Sequence, residues 1–160
     1  MLLEFKTKNY KSFVEEASFS MVAAPKQKGL DYSLMKTKIK GKEIKGLSSS
    51  VIYGPNAAGK TNIIGAMDVL RSIVLRGNIR NSEEKSSPNP AASALELIPN
   101  NNESEAKPVC FEIEFYEEDG EEHKFKIHYE LQIDLGTFLE EEYQRKITCR
   151  SVGSQWRKSI

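Results

Sequence analysis

The sequence predicts an α/β fold, and three observations predict it. A short apolar run, Val51-Ile52-Tyr53, enters a glycine loop at Gly54. Apolar residues then recur at helical spacing, at Ile63, Ile64, Met67, Leu70, Ile73 and Val74. On either side lie stretches that alternate apolar with polar residues, the period of half-buried strands. The expected architecture is a strand–loop–helix core joined to antiparallel β regions before and after it.

Each element has its own signal. Leu3, Phe5 and Thr7 alternate with Glu4, Lys6 and Lys8, and Ala17, Phe19 and Met21 alternate with Ser18 and Ser20. Two strands are therefore expected within Leu2–Val22, joined through Asn9-Tyr10-Lys11-Ser12-Phe13. Pro25 to Asp31 reads as a loop. A strand pair is expected at Met35–Ile39 and Glu43–Leu47, turning at Lys40-Gly41-Lys42. Val51–Tyr53 fits a buried parallel strand. The helix after the glycine loop continues to about Leu75, and Gly77 and Asn78 end it. From Asn81 to Pro108 the composition shifts to Ser, Asn, Pro, Ala and Glu, a polar loop with one short helix over Ala91–Ile98. Val109, Phe111, Ile113 and Phe115 then alternate with polar residues, as do Phe125, Ile127, Tyr129, Leu131 and Ile133. With Asp119-Gly120 between them as a turn signal, they predict a hairpin. Phe138–Lys146 is charged and ambiguous, and Ile147–Trp156 reads as a strand pair. The organisation is one incomplete domain over 1–160. Residues 1–80 carry the first strands, the glycine loop and the helix, 81–107 form the polar loop, and 108–160 form the hairpin region.

Composition excludes several classes. Of 160 residues, 39% are hydrophobic and 29% charged, with zero net charge, as in an ordinary globular protein. No apolar run approaches the roughly 20 residues of a membrane helix, and the first residues lack a secretory pattern. A cytoplasmic location without membrane contact is expected. Cys110 and Cys149 form no CxxC and have no histidine pair at ligand spacing, so they read as reduced thiols. Lysines crowd Met1–Gly46, whereas Glu and Asp dominate Glu103–Glu142. The basic portion suits phosphates or nucleic acid; the alternative is a set of solvent-facing strand lysines.

The chemistry is concentrated in Gly54-Pro55-Asn56-Ala57-Ala58-Gly59-Lys60-Thr61, which matches G-x-x-x-x-G-K-[ST] at every fixed position. Chance produces such a match in a chain of this kind on the order of 1 in 200 times, and the strand-before, helix-after context cuts that further. Glycines at both ends permit the dihedrals and the close approach of backbone to ligand. Inward N–H groups and the following helix N-terminus hold negative charge. Lys60 sets an ammonium against the β- and γ-phosphates, the one catalytic assignment, and Thr61 offers its hydroxyl to Mg²⁺. Small side chains at Ala57 and Ala58 leave room for a phosphate. The expected ligand is ATP with Mg²⁺.

Gly54-Pro55-Asn56 at the head of the loop and Thr61-Asn62-Ile63 after it resemble the loop of ABC-type ATPases of the SMC/RecF branch. They also resemble the related bacterial AAA-type proteins linked to phage defence and to the OLD nucleases. Members of that branch carry an Asn-(Phe/Tyr)-(Lys/Arg)-Ser-Phe segment between two early strands, here Asn9-Tyr10-Lys11-Ser12-Phe13. The resemblance covers roughly Leu2 to Leu75. It implies the N-terminal half of an ABC-like ATPase head, with Asn62, Lys11 and Ser12 joining Gly54–Thr61 around the nucleotide. Lys11 suits a phosphate by its charge; the alternative is that Tyr10 and Phe13 are core and Lys11 a solvated charge.

Beyond the helix the sequence departs from the family. The family needs four apolar residues followed by Asp-Glu, for metal support and water activation. Tyr129–Leu135 is the nearest stretch, and it alternates like a hairpin strand without the pair. Ser151-Val152-Gly153-Ser154-Gln155 resembles the signature segment only superficially. Gln132 and Gln144 are the candidates for a γ-phosphate-sensing glutamine, and neither has the expected context. The chain thus reads as the N-terminal part of a longer ATPase. A dimer mate, second chain or second domain is expected to supply the missing motifs, with DNA or a nuclease as downstream partner. Another P-loop class, a GTPase or small kinase, is the alternative, although no Asn-Lys-x-Asp motif is present. A nucleotide-binding interaction module without hydrolysis is a third reading.

His123 and His128 lie five apart and point to opposite strand faces, so they cannot share a metal. The acidic tip at Glu117–Glu122 and the run Glu140-Glu141-Glu142 read as solvated charge.

Overall fold

The computed structural model describes residues 1–25, 29, 31–39, 42–79, 95–100, 107–118, 124–135 and 145–155. The strands are β1 (Leu2–Lys8), β2 (Ala17–Ser20), β3 (Leu34–Ile39), β4 (Lys42–Leu47), β5 (Val109–Glu118), β6 (Lys124–Asp134) and β7 (Lys146–Gln155). One α-helix among the described residues, α1 (Lys60–Arg76), lies between β4 and β5. The fold is mixed α/β, as expected. β2, β1, β5, β6 and β7 form one sheet in that order, and β3 and β4 form a separate ribbon. Every named pairing is antiparallel.

Alternation explains the sheet. Phe5 on β1, Val109 and Phe111 on β5, and Tyr129, Leu131 and Ile133 on β6 turn to one face. They pack there with Ile63, Ala66, Val69, Leu70 and Ile73 of α1. Each Val, Leu, Ile or Phe among them removed from water contributes about 1.5–3 kcal/mol before chain entropy is counted. The opposite face carries charge: Lys6 pairs with Glu112 at 3.3 Å and Lys126 with Glu114 at 2.7 Å. The strand lysines Lys6, Lys8, Lys36 and Lys45 all have carboxylate partners. α1 ends at Gly77, whose φ of 69° lets its N–H return to Ile73 O at 2.9 Å.

Three expectations need correction. Val51–Tyr53 is not a strand: no described strand lies alongside it, and Val51 is 70% and Tyr53 89% exposed. An extended run becomes a strand only when a neighbour takes up its N–H and C=O groups. The second concerns the helix expected over Ala91–Ile98. Residues 91–94 lie outside the described residues, and 95–98 form no helix. Leu95 and Leu97 are buried while Glu96 and Ile98 are exposed, which is the period of two rather than of 3.6. The third is Ile147–Trp156, which contributes one continuous strand, β7, on the edge of β6 rather than a pair. Residues 95–100, within the stretch expected as a polar loop, belong to no helix or strand and are fastened to the Asn9–Phe13 turn. The hairpin turn at Asp119-Gly120, Phe138–Glu142, His123 and Gln144 lie outside the described residues.

Candidate functional site

The loop Gly54–Gly59 runs straight into α1, whose first helical residue is Lys60. Along Asn56, Ala57, Ala58 and Gly59 the sign of φ alternates: it is positive at Ala57 (65°) and Gly59 (79°) and not at the residues between. Such alternation favours a concave arrangement of N–H groups, within which the Ala58 N–H donates to Pro55 O at 3.3 Å. The first turn of α1 continues that arrangement, since the opening N–H groups of a helix have no intrahelical acceptor. Asn62 and Ile63 donate their N–H groups back to Gly59 O at 2.9 and 3.2 Å, which leaves the amides of Lys60 and Thr61 at the open end. A cavity of about 300 Å³ lies here, lined by Ala57, Ala58, Gly59, Lys60, Thr61 and Asn62.

Side chains complete the rim. Lys60 Nζ donates to Gly54 O at 2.8 Å and to Pro55 O at 2.6 Å, so its ammonium spans the loop from one end to the other. Thr61 is exposed at the helix start. Gly54 packs closely on Ala58: a Cβ there would lie 3.4 Å from the Ala58 Cβ. Residues of these types, an ammonium, a hydroxyl and a ring of amides, suit a polyphosphate and a hard divalent cation.

The Asn9–Phe13 turn is brought against this loop. It closes on itself through Tyr10 N–H to Phe13 O at 3.0 Å and Phe13 N–H to Tyr10 O at 2.9 Å. Asn9 and Lys11 both take positive φ, 53° and 49°. Ser12 Oγ accepts a hydrogen bond from Asn62 Nδ2 at 2.7 Å. A Cβ on Gly59 would lie 2.9 Å from Ser12 Oγ and 3.0 Å from the Phe13 ring, so glycine is needed there for space as well as for φ. Tyr10 is wholly buried, edge-on to Phe111 with 5.7 Å between ring centroids. Tyr10 is thus core, whereas Lys11 is not a free solvated charge. Its Nζ lies 2.5 Å from Glu96 Oε2 and 5.5 Å from the Tyr10 ring centroid. The Glu96 carboxylate holds this ammonium above the usual lysine range, and Lys11 holds Glu96 below the usual carboxylate range.

Sequence reasoning misses Glu96 and Asn100. Asn100 Nδ2 donates to Lys11 O at 2.7 Å, and Lys11 N–H donates to Ile98 O at 2.8 Å. The alternation Leu95-Glu96-Leu97-Ile98 is the available signal that this stretch is extended and presents Glu96 outward.

A second polar group lies on the charged face of the sheet. Glu112, Glu114 and His128 bring ligand atoms within 4.8 Å of one another, with His128 Nδ1 3.4 Å from Glu114 Oε1. Lys6 and Lys126 already pair with these carboxylates, so the cluster is neutralised without a cation. Cys110 and Cys149 are free thiols, and burial pushes the Cys110 thiol up. No described helix is long and apolar enough to cross a membrane.

Comparison with known families gives one match. The model of the family described as "AAA domain, putative AbiEii toxin, Type IV TA system" matches residues 49–151, more than half of the chain. The matched stretch takes in the loop, α1, β5, β6 and most of β7. No curated protein and no solved structure gives a match.

Proposed function

The chain belongs to this family of AAA domains, and from that membership we propose that it binds ATP with Mg²⁺ through Gly54–Thr61, acting as a Walker A loop. The observation that carries the reading is the alternation of φ sign over Asn56–Gly59 immediately ahead of α1. Such alternation turns loop amides toward one side, and the helix N-terminus adds partial positive charge beside them. Lys60 supplies a full charge. Its present acceptors, the Gly54 and Pro55 carbonyls, are weaker than phosphate oxygens, so a bound polyphosphate takes the ammonium from them. Thr61 would hold Mg²⁺ by its hydroxyl, and the ion would neutralise charge between the outer phosphates. Pro55, Asn56, Ala57, Ala58 and Gly59 shape the cradle, while Asn62, Ser12 and Lys11 flank it.

The finer reading is an ATPase of the SMC/RecF/OLD-like branch, of which this chain supplies the loop half of a composite site. Two features favour it. The sequence contains no run of four apolar residues followed by Asp-Glu, and in this reading a second chain or domain supplies water activation. Val51 and Tyr53 beside the loop, and Ile64 (60%) and Leu75 (65%) on α1, are exposed apolar side chains, which a neighbouring domain or chain would cover. By itself the chain is then expected to bind ATP and hydrolyse it slowly or not at all. The family description names a toxin of a toxin–antitoxin system. A role in phage defence, acting on DNA or with a nuclease, is part of this proposal.

Calorimetric titration of Mg·ATP into the 160-residue chain and its Lys60→Ala variant tests the proposal. Binding by the parent and a loss of about tenfold or more in the variant is expected, since one charge-assisted contact contributes roughly 1.5–3 kcal/mol. Equal binding by both places the nucleotide elsewhere. GTP binding as tight as ATP binding would favour another P-loop class.

A further inference from the structure

Residues 95–100 are joined to the Asn9–Phe13 turn, which in turn meets the nucleotide loop. Ile98 O, Asn100 Nδ2 and Asn100 N–H fasten the backbone of Asn9 and Lys11, at 2.8, 2.7 and 3.3 Å. The Lys11 side chain is fastened separately, through the 2.5 Å contact with Glu96. A Cβ on Gly65 would stand 3.9 Å from Lys11 Nζ, so the ammonium lies against the flank of α1. Gly65 follows Thr61 by four residues, about 6 Å along the axis. A positive charge on a flexible stem therefore lies beside α1 little more than one turn beyond Thr61, and its neighbour Ser12 touches the loop at Gly59 and Asn62.

We infer that Glu96 is a positioning residue that sets nucleotide affinity by holding Lys11 in competition with the polyphosphate. The inference rests on the nucleotide reading above. One ammonium has two suitors: a carboxylate on residues 95–100, and phosphates at the helix N-terminus. Glu96 is 67% exposed and Lys11 21%, and a pair so open to water is weak. The polyphosphate carries more charge and lies at the positive end of a helix. Binding of Mg·ATP draws Lys11 off Glu96 by rotation about the flexible lysine stem. Glu96 thus lowers affinity by the free energy of the pair it loses. In exchange it keeps Lys11 out of bulk water and little more than one helical turn from where it is used.

The test is a double-mutant cycle by calorimetry with Mg·ATP on the full chain: parent, Glu96→Gln, Lys11→Met and the double variant, each first checked for a parental melting temperature. Glu96→Gln is expected to tighten Mg·ATP binding about two- to fivefold, the range of an exposed ion pair. In the Lys11→Met background the same change is expected to do nothing. Unchanged or weaker binding by Glu96→Gln overturns the inference, as does equal tightening with Lys11 already replaced. In either case a parent that still binds leaves the nucleotide reading standing. A parent that binds no Mg·ATP removes both.

Discussion

The Asn62 side-chain amide donates a 2.7 Å hydrogen bond to Ser12 Oγ, tying the first turn of α1 to a turn fifty residues earlier in the chain. Through this bond, and through the contact of Gly59 with Ser12 and Phe13, the proposed phosphate cradle is braced by the first strand connection rather than by its own sequence alone. Ser12→Ala is therefore expected to cost about 0.5–1.5 kcal/mol of stability and to weaken Mg·ATP binding a few-fold. Chemical denaturation and calorimetry measure the two effects. A variant with parental values in both would mean that the bond braces nothing.

Two glycines near the loop should respond to alanine with opposite signs. Gly59 has φ 79° and no space for a Cβ, which would meet Ser12 Oγ at 2.9 Å. Gly59→Ala is expected to destabilise by about 1–3 kcal/mol. Gly65 is helical, and its added Cβ would meet Tyr10 Oη at 3.5 Å, an ordinary contact. Gly65→Ala is expected to stabilise by about 0.5–1 kcal/mol through reduced chain entropy. Melting temperatures should move apart, by roughly 2–4 °C per kcal/mol for a chain of this size.

Thr7 is buried on the core face of β1, and its hydroxyl has no hydrogen-bond partner among the described residues. Burying an unpaired hydroxyl costs about 1–3 kcal/mol by mutational measures. Thr7→Val keeps the shape and removes that cost, so the variant should melt higher than the parent. A lower melting temperature would show that the hydroxyl is satisfied in solution.

Glu114 supplies a pH dependence. Burial pushes its carboxyl up, but the Lys126 ammonium at 2.7 Å and His128 together outweigh burial and hold it below the ordinary value of 4.5. A folded-state value below the unfolded one contributes stability above the unfolded value, and that stability is lost as pH falls through the folded one. Urea titrations of the parent and Glu114→Gln should therefore differ most above the ordinary value of 4.5 and draw together as pH falls below it. A gap that stays constant between neutral and acid pH would rule out this linkage.

Local signals carry most of the elements. The spacing Ile63–Val74, with Gly77 beyond it, is enough for α1 because a helix buries one stripe and glycine ends it cheaply. The hairpin of β5 and β6 is legible because alternation reports one buried face. Short signals mislead: Leu95-Glu96-Leu97 reads as helix beside the preceding alanines, and Ile147–Trp156 reads as two strands where there is one. Val51–Tyr53 has the composition of a buried strand and lacks a described neighbour to pair with.

The sequence by itself determined the glycine loop, the residues proposed to hold a polyphosphate, and the helix after them, since dihedral freedom, charge and period are properties of neighbouring residues. Only the tertiary structure decided that Ser12 meets Asn62, that Lys11 is held by Glu96, and that Gly59 has no room for a side chain. Periodicity states which face of an element is buried but not what buries it. Contacts between residues 9–13, 59–62 and 95–100 arise when the sheet and α1 close on a shared core, which no local pattern encodes.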